Sequence, residues 1–257
     1  MKRFIVSTIA TSVLVWLALP ADAQQIIHPA RKASPGQLEF GAVAGLSMIE
    51  YDGDGGEGSG DIDRKLMGGY GALGLMELVD VYGTLGIFTA EPEDWDDTGA
   101  GWLIAAGARS AFKLNDQFSI HGYGQLQYLS EDYGETSESE SGYYASASSK
   151  MEATGTFKEL LLGGAVRFTP VENLGVYAAL ELIPYSDGEV EVDASTTVSS
   201  LYGGTHSESV SQTADIERDG LIGLRLGADL VVGQFYGRGE LALLSETALL
   251  IGAGIAF

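Results

Sequence analysis

The chain has no cysteine. That excludes disulfides, thiolate chemistry, cysteine-ligated metals and the acylated cysteine of a lipoprotein. Histidine is confined to His28, His121 and His206, and 14 Lys and Arg face 36 Asp and Glu, a formal charge of −22. So acidic a chain repels a phosphate backbone, and nucleic acid is excluded as a partner. Proline occurs only 6 times. After the first two dozen residues no apolar run reaches the ~18 residues of a spanning helix.

What is present fits poorly with an ordinary acidic soluble protein. Hydrophobic residues make up 45% of the chain, and there are 36 glycines. At the start, Lys2 and Arg3 precede an apolar run over residues 4–19, and Ala21-x-Ala23 fits cleavage before Gln24. Residues 1–23 are therefore expected to be a cleaved secretory signal. Residues 24–36, with Pro29, Arg31, Lys32 and Pro35, read as a short mobile lead-in. Residues 37–257 show no composition break and no repeat of 20–50 residues, so a single domain is expected.

The dominant period along that domain is two. One face runs Leu38, Phe40, Ala42, Ala44, Leu46, Met48, and its opposite carries Glu39 and glycines. The same alternation sets Trp102, Ile104, Ala106 and Ala108 against Arg109, and Leu174, Val176, Ala178, Leu180 and Leu182 against Tyr177 and Glu181. It sets Ile222, Leu224, Leu226, Ala228 and Leu230 against Arg225 and Asp229. About ten segments of this kind, each close to the ~9–11 residues of a tilted membrane-crossing strand, fall at 37–50, 65–77, 80–90, 101–113, 118–130, 157–169, 174–187, 217–232, 235–244 and 247–257. Eight or twelve strands remain open. Links alternate in length: long polar ones at 51–64, 91–100, 131–156 and 188–216, short ones at 77–80, 114–117, 170–173 and 232–234. The expected fold is all-β, an antiparallel up-and-down transmembrane β-barrel with long acidic extracellular loops and short periplasmic turns. A soluble lipocalin-like barrel is the alternative, but it would put charge on the outer faces, which here are nearly charge-free.

Aromatics agree with that register. Phe40, Phe112, Phe118, Phe168, Phe235 and Phe257 all fall at periplasmic strand ends, as one rim of an aromatic girdle, and Trp102 falls at an outer end. In the longest link, placing Leu174 opposite Val232 puts Glu181 opposite Arg225 and a hairpin apex at Gly203-Gly204. A disordered Ser/Thr-rich loop is the other reading.

With Gly252, Ile255 and a terminal Phe257 at fixed spacing, the chain resembles the small bacterial outer-membrane β-barrel proteins of the OmpA/OmpX type. Leu250 departs from the polar residue usual in that signal. The resemblance implies location in the bacterial outer membrane, insertion by the barrel-assembly machinery with Phe257 as main determinant, and contact with outer-membrane lipid and lipopolysaccharide.

The inward faces carry both signs of charge. Arg109, Glu159, Glu181, Arg225, Asp229, Arg238 and Glu240 form the expected lumen network, with Glu39, Arg167, His121, Gln125 and Gln127. A self-paired polar plug is expected, in a noncatalytic envelope or surface-interaction barrel with no cofactor. A narrow cation-preferring pore is the alternative. Acidic loop residues Asp52, Asp54, Glu57 and Asp61 offer oxygen ligands for weakly bound calcium or magnesium, without EF-hand spacing. A hydrolase of omptin type would need rim residues such as Asp96, Asp97 and His206, but no motif of that family is present.

Overall fold

The computed structural model describes residues 28–31, 33–52, 59–92, 99–141, 145–200, 204–216, 222–244 and 247–257. The expected signal, residues 1–23, lies outside them. The strands are β1 (Leu38–Asp52), β2 (Ser59–Gly74), β3 (Val79–Pro92), β4 (Gly99–Lys113), β5 (Phe118–Ser141) and β6 (Ala145–Val171). They continue as β7 (Leu174–Ser200), β8 (Gly204–Ile216), β9 (Ile222–Val232), β10 (Phe235–Leu243) and β11 (Thr247–Ala256). All pairings are antiparallel. β1 joins β11, and β6 joins β7, so the sheet closes on itself. Ten strands form the wall, and β8 pairs only with the far half of β7. The fold is a closed ten-stranded up-and-down barrel.

Period-two alternation becomes an inside and an outside. Leu46, Met67, Leu85, Ile87, Ile104, Leu126, Val166, Leu180, Leu226, Leu249 and Ile251 all project outward and are exposed. On a closed barrel, such a continuous apolar belt is the surface of a protein solvated by lipid. Short turns gather at one end. Between β4 and β5 the Asn115 carboxamide oxygen accepts from the amides of Gln117 (2.9 Å) and Phe118 (2.8 Å). Between β9 and β10, Gly233 takes φ +61.

At the other end β5, β6 and β7 outrun the membrane. β6 and β7 have 27 residues each, about 90 Å at ~3.3 Å per residue, against an apolar band ~25 Å tall. Link 131–156, expected as a loop, is therefore mostly a continuation of β5 and β6, and link 188–216 is a strand pair. β5, β6, β7 and β8 together extend beyond the barrel as a four-stranded blade.

Pro184 marks where the blade leaves the wall. β7 pairs with β9 up to Leu182↔Ile222 and with β8 from Gly188↔Ile216. Between them the register against β6 shifts by one residue, at Leu160↔Tyr185 and Leu162↔Leu182. A proline, which donates no ladder hydrogen bond, is tolerated at such a bulge. The extra residue also flips parity: Glu181 and Ile183 face in below it, and Val190 and Val192 face in above it.

The β7–β9 register differs from the sequence expectation by two residues. Leu174 pairs with Leu230 rather than Val232, and Arg225 pairs with Ala179 rather than Glu181. A slip of two preserves the face of every side chain, so hydrophobic alternation cannot detect it. The last described pair of the long hairpin is Ser200↔Gly204, with Gly204 at φ +74; Gly203 lies outside the described residues.

Candidate functional site

The lumen is organised in layers, and the first is built from tyrosine on glycine. Each of five inward tyrosines lies directly across from a glycine on the neighbouring strand: Tyr70↔Gly41, Tyr82↔Gly107, Tyr123↔Gly163, Tyr177↔Gly227 and Tyr236↔Gly254. A Cβ at any of those glycines would collide with the ring opposite. Missing side chains thus let the rings lie flat on the wall and aim their hydroxyls at the lumen. Tyr123 donates to Glu181 at 2.8 Å, Tyr177 to Glu240 at 2.6 Å and Tyr70 to Glu39 at 2.5 Å. The Tyr70 and Tyr236 hydroxyls also meet.

Arginine and carboxylate pairs fill the space between the rings. Arg225 spans two acids, donating from Nε to Glu181 (2.7 Å) and from Nη1 to Glu240 (3.0 Å). Arg238 lies 3.8 Å from Glu240. Glu159 accepts from Gln127 Nε2 (2.6 Å), and Gln127 Oε1 accepts from Gln125 Nε2 (2.7 Å). Nearer the blade, Arg64 donates to Glu131 at 2.7 Å with its guanidinium over Phe88. Arg64, Glu131, Glu159, Glu181, Arg225 and Glu240 are all buried. Signs nearly balance inside, so the net acidity belongs to the exterior.

Between the Arg64–Glu131 pair and the rest of this network lies an apolar layer. Leu66, Phe88, Leu103, Leu129, Phe157 and Leu250 form one cluster with Val190 and Val192 from the base of the blade. Leu103, Phe157, Leu161 and Leu250 point into the lumen and are at most 2% exposed. Side chains lining a water-filled pore are wet; these are dry. Leu250, the departure from the insertion signal, is one of this layer's members.

At the short-turn end the lumen is closed by the chain's own N-terminal residues. The mobile lead-in expected over 24–36 is, over its described part, seated inside the barrel. His28, Ala30 and Ala33 are each at most 1% exposed. The Ala33 amide donates to Asp80 at 2.7 Å, and Arg31 donates to Glu39 at 3.2 Å with its guanidinium over the Tyr236 ring. The His28 carbonyl accepts from Arg109 (3.2 Å), and Ala30 packs with Ala165, Tyr177 and Ala179. Burial lowers the His28 imidazole to about 4, so the ring is neutral near pH 7, its Nδ1 accepting the Ala30 amide at 3.2 Å. Its Nε2 lies 3.6 Å from Asp229, which is held by Arg167 at 2.7 and 3.1 Å. Arg109 grips Asp80 through Nε (3.0 Å) and Nη2 (2.5 Å). Below the segment an open vestibule of about 600 Å³ is lined by Arg31, Lys113, His121, Arg167 and Glu172, among others.

All seven residues of the expected lumen network, Arg109, Glu159, Glu181, Arg225, Asp229, Arg238 and Glu240, are buried inside the barrel. Glu181 and Arg225 meet as a diagonal pair rather than directly across the ladder. The expected network leaves out Asp80, at the junction of turn 77–80 and strand 80–90, and Arg64 and Glu131, which fall in links 51–64 and 131–156. The alternation Asp80, Tyr82, Thr84 on one face was the available signal for the first.

Phe40, Phe112, Phe118, Phe235 and Phe257 are outward and exposed at the short-turn end, and Phe168 is half-buried there. Phe118 stacks on Phe168 (4.8 Å) and Phe40 meets Phe257 edge-on (6.4 Å). Trp102 sits nearer the opposite end against Tyr128, 5.3 Å away. In β11, Gly252 leaves room for Arg238 from the adjacent strand, Ile255 pairs with Phe40 and Phe235, and Phe257 exchanges backbone hydrogen bonds with Leu38. Of the cation candidates, Asp54 and Glu57 lie outside the described residues, and Asp52 and Asp61 pair in the β1–β2 ladder with Ser59 and Glu50. Asp96 and Asp97 also lie outside them. His206 is exposed on β8, 3.3 Å from Glu208.

No protein-family model matches the chain, and no characterised protein matches it by sequence. Several solved barrels are distantly similar in shape. The outer membrane protease OmpT from Escherichia coli has 10% identity over 88% of this chain and 99% of its own, with a TM-score of 0.44. The translocator domain of autotransporter NalP from Neisseria meningitidis has 16% identity over 97% and 96%, at 0.43. Ail, the attachment invasion locus protein of Yersinia pestis, solved with the heparin analogue sucrose octasulfate, has 14% identity over 86% and 99%, at 0.31. These likenesses are distant, and the closed barrel rests on its own strand pairing.

Proposed function

We propose that this protein is a noncatalytic bacterial outer-membrane barrel, closed through its lumen, whose task is to hold a β-blade above the cell surface as an envelope or interaction module. The observation that carries this reading is the dry layer of Leu66, Leu103, Phe157 and Leu250 across the lumen, together with the charge network beneath it. Such a layer opposes the passage of water and ions. The blade supplies the outward-facing part. One of its faces is dense in hydroxyls: Ser195, Thr197 and Ser199 on β7 lie across from Ser209, Ser207 and Thr205 on β8, and from Lys150, Ser148 and Ser146 on β6.

In this orientation the phenylalanine rim faces the periplasm, and Gly252, Ile255 and Phe257 end the strand offered to the assembly machinery. Lipid and lipopolysaccharide surround the apolar belt.

Two measurements test the reading. Reconstituted into planar bilayers, the protein is expected to produce no stepwise conductance. Reproducible cation-selective steps that vanish when the acidic loops are neutralised would establish the pore instead. An epitope inserted at residues 201–203, beyond Ser200, is expected to bind antibody on intact cells; labelling only after permeabilisation would reverse the orientation.

A further inference from the structure

The residues that close the short-turn mouth are held as a peptide is held by a receptor. Four wall strands present the grip: Glu39 on β1, Asp80 on β3, Arg109 on β4 and Asp229 on β9. Each engages a different group of one short segment that turns at residues 29–30. Glu39 takes the Arg31 guanidinium, Asp80 a backbone amide, Arg109 a backbone carbonyl, and Asp229 faces the His28 ring. Tyr236 stacks under the cation, and Ala165, Tyr177 and Ala179 form a small apolar seat for Ala30.

Two features separate this arrangement from ordinary wall packing. Two of the three wall acids keep a wall cation of their own, Asp80 keeping Arg109 and Asp229 keeping Arg167, whereas Glu39 has the Tyr70 hydroxyl and a 3.8 Å approach to the Arg109 already held by Asp80, so its charge is balanced by Arg31 of the segment. The described residues of the segment, 28–31 and 33–36, join no strand ladder, and the vestibule opens directly beneath them. A preformed cradle one cation short of balance, with its occupant at an open mouth, selects a cationic occupant and can exchange it for another cation without leaving a buried charge stranded.

We propose that the inner mouth of the barrel is a binding site for a short cationic peptide, filled in cis by residues 28–31 and 33–34 of this chain. A peptide reaching the mouth from the periplasmic side competes with the internal segment on the same carboxylates. The dry layer above stays shut, so displacement opens a dead-end chamber and no pore. The site therefore stands or falls independently of the closed-lumen reading, which bilayer conductance tests.

The absence of native cysteine allows a direct test on the full chain. Ala30→Cys introduces a single thiol at a buried position, and Ser34→Cys one at an exposed position of the same segment. The rate of modification by a water-soluble maleimide reads docking. Cys at position 30 is expected to react at least tenfold more slowly than Cys at 34, and to speed up at least tenfold when Arg31→Ala is added. A synthetic peptide copying residues 28–36 is expected to accelerate it saturably, at lower concentration in the Arg31→Ala chain, while the same peptide carrying Ala at position 31 does not. Equal rates at 30 and 34, or a slow rate at 30 that no peptide concentration changes even in the Arg31→Ala chain, would overturn the proposal. In the first case the segment is not docked; in the second it is a fixed part of the wall.

Discussion

Replacing Arg225 with methionine should destabilise the barrel by about 3–5 kcal/mol, the usual result of stranding a buried charge. The expected asymmetry is more telling than the size. Arg225 is the shared partner of Glu181 and Glu240, so its loss leaves two buried carboxylates, with only Arg238 at 3.8 Å from one of them. Glu181→Met takes one partner each from the Arg225 Nε and the Tyr123 hydroxyl but leaves the Arg225 charge bonded to Glu240 through Nη1. It should therefore cost less, ~1–3 kcal/mol, the range for unsatisfied donors rather than for a stranded charge. Urea titration of the protein in detergent or lipid, read by the heat-modifiable mobility of the folded barrel on gels, measures both. If the lumen were a water-filled channel, both pairs would be screened and both substitutions would fall within ~1 kcal/mol of wild type. Equal, small effects would thus argue against the closed lumen as strongly as a conductance step would.

The reasons why some features were legible in the sequence and others were not are physical. Lipid outside and polar groups inside force a strict period of two, so the faces of β1, β4, β7 and β9 could be read residue by residue. Inward charges such as Arg109, Glu181 and Arg225 stood out because a lipid-facing strand has no other place for them. The β7–β9 register did not stand out, because a slip of two leaves every face unchanged and Glu181 still reaches Arg225 diagonally. The blade was hidden for the opposite reason. Its Ser-rich strands have solvent on both sides, and there alternation carries little signal. The N-terminal segment was misread because Arg31, Lys32, Pro29 and Pro35 have the composition of a solvated leader. What buries its described residues is a set of partners on β1, β3, β4 and β9, which are distant in sequence and become one cradle only once the barrel closes.

Glycine abundance, by contrast, was visible at once, but its meaning depends on cross-strand pairs. Gly163→Ala should destabilise the protein by about 1–3 kcal/mol, although alanine in a strand is otherwise favoured over glycine by ~0.5–1 kcal/mol. The reason is that a Cβ at 163 enters the Tyr123 ring, which its own hydroxyl bond to Glu181 holds in place. Gly239 provides the control: it lies exposed on β10 of the same barrel with nothing within 4 Å of a built Cβ, so Gly239→Ala should be neutral or mildly stabilising. Tyr123→Ala is costly by itself, since it removes the ring and a bond to a buried carboxylate. Against that background, however, Gly163→Ala should cost nothing further, and the double-mutant cycle should return a coupling of the size of the single glycine penalty. A Gly163→Ala penalty that persists without the Tyr123 ring would mean that the backbone at 163, and not the ring seated on it, requires glycine. The five tyrosine–glycine pairs would then be coincident neighbours instead of the joints that set the hydroxyls of the lumen network.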